Sequence, residues 1–573
     1  KLTASITSEN TDLYNAAIGG NAGETGGTLT VYGGAVEATV AITNDFGSAS
    51  ETSQGDSAYG AAIGGGGSET GNGGDGGTIT IFGGTVRAES SCGAGIGGGS
   101  GDIGVGGIGG NITISGGTVR AESFLGAGIG GGSGGSGGGD GGKVTISGGA
   151  VWAESYYGGG IGGGCDGDGG DTGGDGGTIT ISGGTVEVQS VSGAAIGGGT
   201  SGLGPSGVLP TIGTGGSGGN ITISGGSVTA TTMTGRTIGL LAEQNQGRWA
   251  GAAIGGSSSD GSSGNITISG GTVTAIVSSQ TAPHADPDAN PIYSAGIGSG
   301  RSGGGGTITI SGGTVFAQSP DGAGIGSGEN SDGSAIVIAI SGGTVEAVST
   351  NGAGIGGGMI EALNGILISE KPCSGGDITI AGGTVSAQST NGAGIGSGAV
   401  IYDVSDGSEV SKEDTPEVNG GEITVSGGTV SAQSVRGAGI GGGSGQVTIG
   451  SNVEVASGQT SPSLTPYSSD GGTVTISGGT VEAISTEGVG IGSGGMPFYQ
   501  SESHDVDQYI HCVSGKAGTF ATGTDGNAML FATGRIAHIE DDDDTSAWQG
   551  VIFLGSEGQL YGTSVTLSED VTI

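Results

Sequence analysis

Several sets of residues in this chain have side chains suited to binding or reaction, and most recur at fixed places in a repeated pattern. The first set lies in copies of TVxAxS. Aligned copies place Arg87, Arg120, Trp152 and Glu187 in one column, and Glu89, Glu122, Glu154 and Gln189 in the next. Phe82, Phe124, Tyr156 and Tyr157 lie nearby in sequence. An aromatic ring stacks on the apolar face of a sugar, while carboxylates and guanidinium groups bond its hydroxyls. Arg87, Glu89, Arg120, Glu122, Trp152, Glu154, Tyr156 and Tyr157 are therefore the candidate carbohydrate-binding residues. The competing reading is a surface ladder in which Arg and Glu neutralise one another. Carboxylates one strand apart also approach the roughly 5 to 5.5 Å separation of a retaining glycosidase. Any ladder of strands produces that spacing, so no catalytic residue is assigned.

The second set is acidic. Asp75, Asp140, Asp175 and Asp470 each stand three residues before a strand, and Asp166, Asp168 and Asp171 lie close by. Oxygen-rich glycine loops suit Ca2+, which takes roughly six to eight oxygen ligands. Asp166, Asp168, Asp171 and Asp175 are the candidate calcium ligands, against a plainer reading as solvated turns. The spacing departs from the calcium-binding nonapeptide. Two loop groups have suitable side chains as well: His284, Asp286 and Asp288, and His504, Asp505, Asp507 and His511. Both also read as ordinary polar loops.

Other patterns belong to the scaffold. Gly93, Gly95 and Gly98 match GxGxxG, but a dinucleotide site needs a single copy opening a helix, and this motif recurs before loops and strands. Asn111, Asn220 and Asn265 each begin Asn-Ile-Thr at a position where other copies have Thr, which reads as a ladder position before a glycosylation acceptor. Outward rows such as Thr80, Thr113, Thr145 and Thr180 are like those of ice-binding β-helices, although only one Thr per strand is firmly outward.

What positions all of these is one repeat. A clean copy, Thr178 to Gly199, reads TITISGGTVEVQSVSGAAIGGG. TITIS alternates, as a half-buried strand must, with Ile179 and Ile181 inward. After a Gly-Gly bend comes TVEV, with Val186 and Val188 inward. GAAIG is the third segment; its usual form elsewhere is GAGIG, and glycine at alternate positions leaves its outer face nearly bare. Three short strands per unit predict an all-β, right-handed parallel β-helix of about 13 to 15 rungs, each burying its apolar face only in the stack. Residues 1–495 carry the repeats. Residues 496–573 form a divergent β section that continues or caps the solenoid. Insertions at Leu203–Gly219, Gln280–Tyr293, Met359–Ser374 and Ala399–Gly420 fall at corners, where loops carry function.

Composition sets the outer bounds. Glycine is 148 of 573 residues, without the period of three that collagen needs. A formal charge of −41 opposes nucleic acid and anionic lipid as partners. No apolar run of about 18 residues is present for insertion into a membrane. Cys92, Cys165, Cys373 and Cys512 are too scattered for a disulfide framework and are expected as free thiols. Lys1 is not a start methionine, so the chain reads as processed or excised from a longer precursor.

The ITISGGTVxA and GAGIGGG repeats, with the tail from Trp548 to Ile573, resemble large secreted surface proteins of Gram-positive, often gut, bacteria of the carbohydrate-binding-domain type. The resemblance covers about residues 15–495. It implies an extracellular or cell-surface β-helix, bound calcium and a polysaccharide partner, with no catalytic motif carried over. The expected function is a polysaccharide-binding or adhesive rod. A β-helical glycoside hydrolase or polysaccharide lyase and a structural stalk are the alternatives, and self-association is left open.

Overall fold

The computed structural model describes residues 1–8, 12–42, 58–167, 172–201, 213–234, 250–258, 260–279, 293–331, 333–363, 366–367, 373–404, 418–449 and 469–494, and five short strands between 498 and 549. The loop groups at His284 and His504, residues 203–212 and 280–292, and Cys512 lie outside the described residues. Two compact units are present. The first comprises 1–306 and 312–314, the second 307–311 and 315–573.

In the first unit, alternation decides which side of each strand is buried. Along Thr78–Ile81, Ile79 and Ile81 are buried while Thr78 is exposed and Thr80 half-exposed. β-Branched residues suit such a pleated, half-buried surface. Thr78–Ile81 pairs in parallel with Asn111–Ile114, in the register Thr78↔Asn111. The same pairing recurs through Lys143–Ile146, Thr178–Ile181, Asn220–Ile223 and Asn265–Ile268. This is the first sheet. The second is built from TVxAxS strands such as Thr85–Ser90 and Thr118–Ser123, with Val86 and Ala88 turned inward. The third is two residues wide: Ile96–Gly97 pairs with Ile129–Gly130. Parallel strands joined by crossovers wind right-handed, and the result is a right-handed parallel β-helix with three strands per rung. First-sheet strands number 13 among the described residues, within the expected range.

The third sheet is not bare. The glycine segments that leave it and return from it pack over it as a further layer of backbone. Gly74 N–H donates to Gly66, Gly99 to Gly74, Gly107 to Gly99, Gly132 to Gly107 and Gly139 to Gly132, at 2.7 to 2.9 Å. Successive rungs are thereby stitched together without side chains. A Cβ at Gly99 would lie 2.2 Å from the Gly66 oxygen. Gly97, at φ +141°, would bring a Cβ to 1.9 Å from the Gly130 oxygen. Glycine is abundant here because backbones touch.

A polar column closes the second sheet. The final serine of each TVxAxS strand is buried and donates to a glycine carbonyl: Ser90 to Gly60 at 2.8 Å, Ser123 to Gly93 at 2.7 Å, Ser155 to Gly126 at 2.7 Å and Ser190 to Gly158 at 2.9 Å. Each hydroxyl thus satisfies the carbonyl that begins, or immediately precedes, a third-sheet segment.

The second unit repeats the three sheets and adds a fourth. Two of the sequence insertions expected as loops contain strands instead. Ile360–Leu363, Val400–Val404, Gly445–Ile449 and Phe498–Ser501 pair in parallel, and Ile366–Leu367 adds an antiparallel edge. These segments follow the third sheet, where the first unit has its glycine layer. Here they carry apolar side chains, and Ile360, Val400 and Tyr402 are buried. A side-chain ladder also runs up this unit. Asn351 donates to Asp321 at 2.7 Å, Asn391 to Asn351 at 2.6 Å and Arg436 to Asn391 at 2.8 Å, and Arg436 pairs with Glu487 at 3.4 Å. Thr519–Thr522 and Ala528–Thr533 extend the first and second sheets of this unit.

Candidate carbohydrate-binding face

Register brings the candidate residues together as a face on the second sheet of the first unit. Arg87 pairs with Arg120, Arg120 with Trp152 and Trp152 with Glu187. Glu89, Glu122, Glu154 and Gln189 form the adjacent column. Residues two apart on a strand share a face, so each arginine meets the glutamate of its own strand. Arg87 donates to Glu89, and Arg120 to Glu122. The arginine side chains remain 54% and 47% exposed, so these pairs contribute little to stability.

Arg120 also reaches the next rung. Its guanidinium carbon stands 3.7 Å from the centroid of the Trp152 ring. A cation held over an indole face is attracted by the ring quadrupole. One face of Trp152 is therefore covered, and the indole is half-buried. Glu154 also departs from the open carboxylate expected of it. At 9% exposure it is buried, flanked two residues either way by the rings of Trp152 and Tyr156.

At the end of the strand, Phe124, Tyr156 and Tyr157 form a three-ring cluster. Phe124 and Tyr156 are tilted at 5.2 Å, while Tyr157 meets Phe124 edge-on at 5.4 Å and Tyr156 at 4.7 Å. Burial pushes the Tyr156 phenol above its usual range. Phe82 does not join them. It follows the first-sheet strand Thr78–Ile81 and is stacked on Tyr32, which the alignment of TVxAxS copies did not single out because it stands outside that pattern.

The aspartate column has a structural task. Asp75 accepts the Ile108 N–H at 3.0 Å, Asp140 the Asp175 N–H at 3.0 Å and Asp175 the Ser217 N–H at 2.7 Å. Each carboxylate ties its own rung to the next. Burial, with a smaller push from the Asp175 charge, raises the Asp140 carboxyl against the pull of its hydrogen bond. Of the calcium candidates, Asp166 is wholly buried and Asp175 is engaged as described, while Asp168 and Asp171 lie outside the described residues. Among the described residues, no three His, Cys, Asp or Glu side chains converge. Asn265 donates to Asn220 at 3.0 Å, a ladder contact as expected. Cys92, Cys165 and Cys373 are buried, and Cys373 Sγ accepts the Ser331 N–H at 3.0 Å.

Ten segments match the beta helix repeat family model: residues 79–100, 112–133, 144–165, 179–200, 266–301, 308–329, 338–359, 378–399, 423–444 and 474–495. The chain is a β-helical repeat protein. In this β-helical protein most matched segments run from the second residue of a first-sheet strand to just past the third sheet, so they span one three-strand rung. Searches of curated proteins and of solved structures each return no match. Repeats of this kind occur in polysaccharide-binding proteins, hydrolases, lyases and stalks. The fold therefore leaves function to its faces. Among the described residues, no helix is long and apolar enough to cross a membrane.

Proposed function

We infer that the protein is a secreted or cell-surface polysaccharide-binding rod, with the Arg87–Arg120–Trp152 face as one contact surface. The observation that supports this most is the pairing of Arg120 with Trp152 beside the Phe124, Tyr156 and Tyr157 rings. It gathers guanidinium, carboxylate and aromatic groups on one outward face. In the second unit the equivalent column includes Ser386 and Ser431, so the repeat does not require such residues. Glu89 and Glu122, whose spacing raised the glycosidase alternative, are each held by an arginine, which favours binding over catalysis. A calcium ion at the 166–175 loop belongs to the same proposal, and a fall in melting temperature on adding EDTA would support it.

A glycan array with purified protein tests the reading, with Trp152→Ala as the comparison. Wild type should bind one or more glycans, and Trp152→Ala should weaken that binding about tenfold. Absence of binding to every glycan would favour the stalk reading, which the regular parallel register within each unit also suits.

A further inference from the structure

Two strongly exposed aromatic side chains among the described residues of the first unit lie away from the face described above. Tyr32 is 79% exposed and Phe82 51% exposed. Their rings are stacked, with centroids 5.3 Å apart and planes within 9°. They follow first-sheet strands Thr28–Val31 and Thr78–Ile81, where the later rungs have Ser115, Ser147 and Ser182. Ser115 is too small to cover the far side of Phe82. The Thr28–Val31 strand is the first of its sheet, so no described neighbour of that sheet covers Tyr32.

We propose that Tyr32 and Phe82 form a second sugar platform, which takes a pyranose ring of a neutral polysaccharide. This rests on the polysaccharide reading above and adds a separate contact to it. An exposed pair of flat rings in water is a surface awaiting a partner with an apolar face. A pyranose has such a face, ringed by hydroxyls. Thr30 and Thr80 supply hydroxyl partners on the adjoining strands, where both face outward.

Charge indicates which polysaccharide. The chain carries −41 overall. Yet on the outward positions of the seven first-sheet strands of this unit, Lys143 is the only charged residue among the described residues. The same positions in the second unit include Asp377 and Glu422. Lys143 stands two rungs from the strand that leads to Phe82, so the strands that carry the two rings are locally neutral within an acidic molecule, which complements a neutral polymer and gives a uronate no cationic partner on those strands.

Affinity electrophoresis through hydroxyethylcellulose, xyloglucan and galactomannan tests the proposal. The proteins are wild type, Tyr32→Ala/Phe82→Ala, Tyr32→Leu/Phe82→Leu and Trp152→Ala. Wild type should be retarded by at least one polymer. The Ala pair and the Leu pair should each lose about tenfold in affinity, because Leu keeps apolar area but not a flat ring. Both rings are more than half exposed, so melting temperatures should stay near wild type. If both double variants are retarded as wild type while Trp152→Ala is weakened, the platform is overturned and the other face stands. If wild type is retarded by none of the polymers and also binds nothing on the glycan array, both readings fall. If the double variants instead convert a sedimenting dimer to a monomer without changing retardation, the rings serve a second copy of the chain and the proposal is overturned.

Discussion

Single residues in this protein are constrained by backbone proximity more than by side-chain volume. Gly97→Ala forces a Cβ against the Gly130 carbonyl, at a φ that L-residues rarely adopt, and should cost about 2 to 4 kcal/mol. Gly33→Ala meets nothing within 4 Å and should be near neutral. Chemical denaturation of the two variants measures the contrast, and equal losses would mean that the close approach at Gly97 is readily relieved. The buried thiols make a second prediction. Burial pushes Cys92 up to about 12, and Cys165 is raised for the same main reason. An unfolded thiol loses its proton near about 8.5. Above that pH the unfolded chain sheds protons that the folded chain retains. Stability is therefore fully present below about 8.5 and declines as pH rises toward the folded values. Urea denaturation at pH 7.5 and 9.5 should show the decline, and Cys92→Ala should lessen it. Alkylation mapped by mass spectrometry should reach Cys92, Cys165 and Cys373 only in denaturant.

At the scale of elements, two layers hold the rungs together besides the sheets themselves. One is the serine column. Ser123→Ala leaves the Gly93 carbonyl without its donor and should cost about 1 to 3 kcal/mol. The other is the glycine layer. If it is a hydrogen-bonded layer and not a set of loops, the Gly99, Gly107, Gly132 and Gly139 amides should exchange with deuterium as slowly as strand amides. Fast exchange there would remove the layer from the account. The sheets were legible in the sequence because alternation of Ile, Val and Thr encodes which face is inside. The Arg120–Trp152 contact was legible too, since parallel in-register strands turn equal positions in TVxAxS into neighbours. The glycine layer was not. A run such as GGGSGDIGVGGIGG has no periodicity, and its hydrogen bonds join residues of different rungs. The burial of Glu154 was hidden for a related reason: it depends on how large rings on both sides settle. Met359–Ser374 and Ala399–Gly420 read as insertions because they break the repeat's length, while their pairing with each other appears only when rungs are stacked.

For the molecule as a whole, charge is the strongest single property. There are 53 acidic residues and 12 basic ones. Like charges on successive rungs are held about 4.8 Å apart by the sheet spacing, and repulsion among them opposes the folded state. Salt screens this repulsion over a Debye length that falls from roughly 30 Å at 0.01 M to roughly 8 Å at 0.15 M. The melting temperature should therefore rise between those two salt concentrations, and a fall would mean that attractive ion pairs outweigh the repulsion. The same titration separates the classes of ligand. An anionic polysaccharide would approach against the net charge, so salt should strengthen whatever binding it shows. A neutral polysaccharide held by aromatic stacking and hydroxyl contacts has no such term, and its affinity should change less than twofold over the range. Binding strengthened severalfold by salt, and confined to uronate polymers, would refute both the neutral platform at Tyr32 and Phe82 and the idea that Glu89 and Glu122 suppress the charge of their arginines.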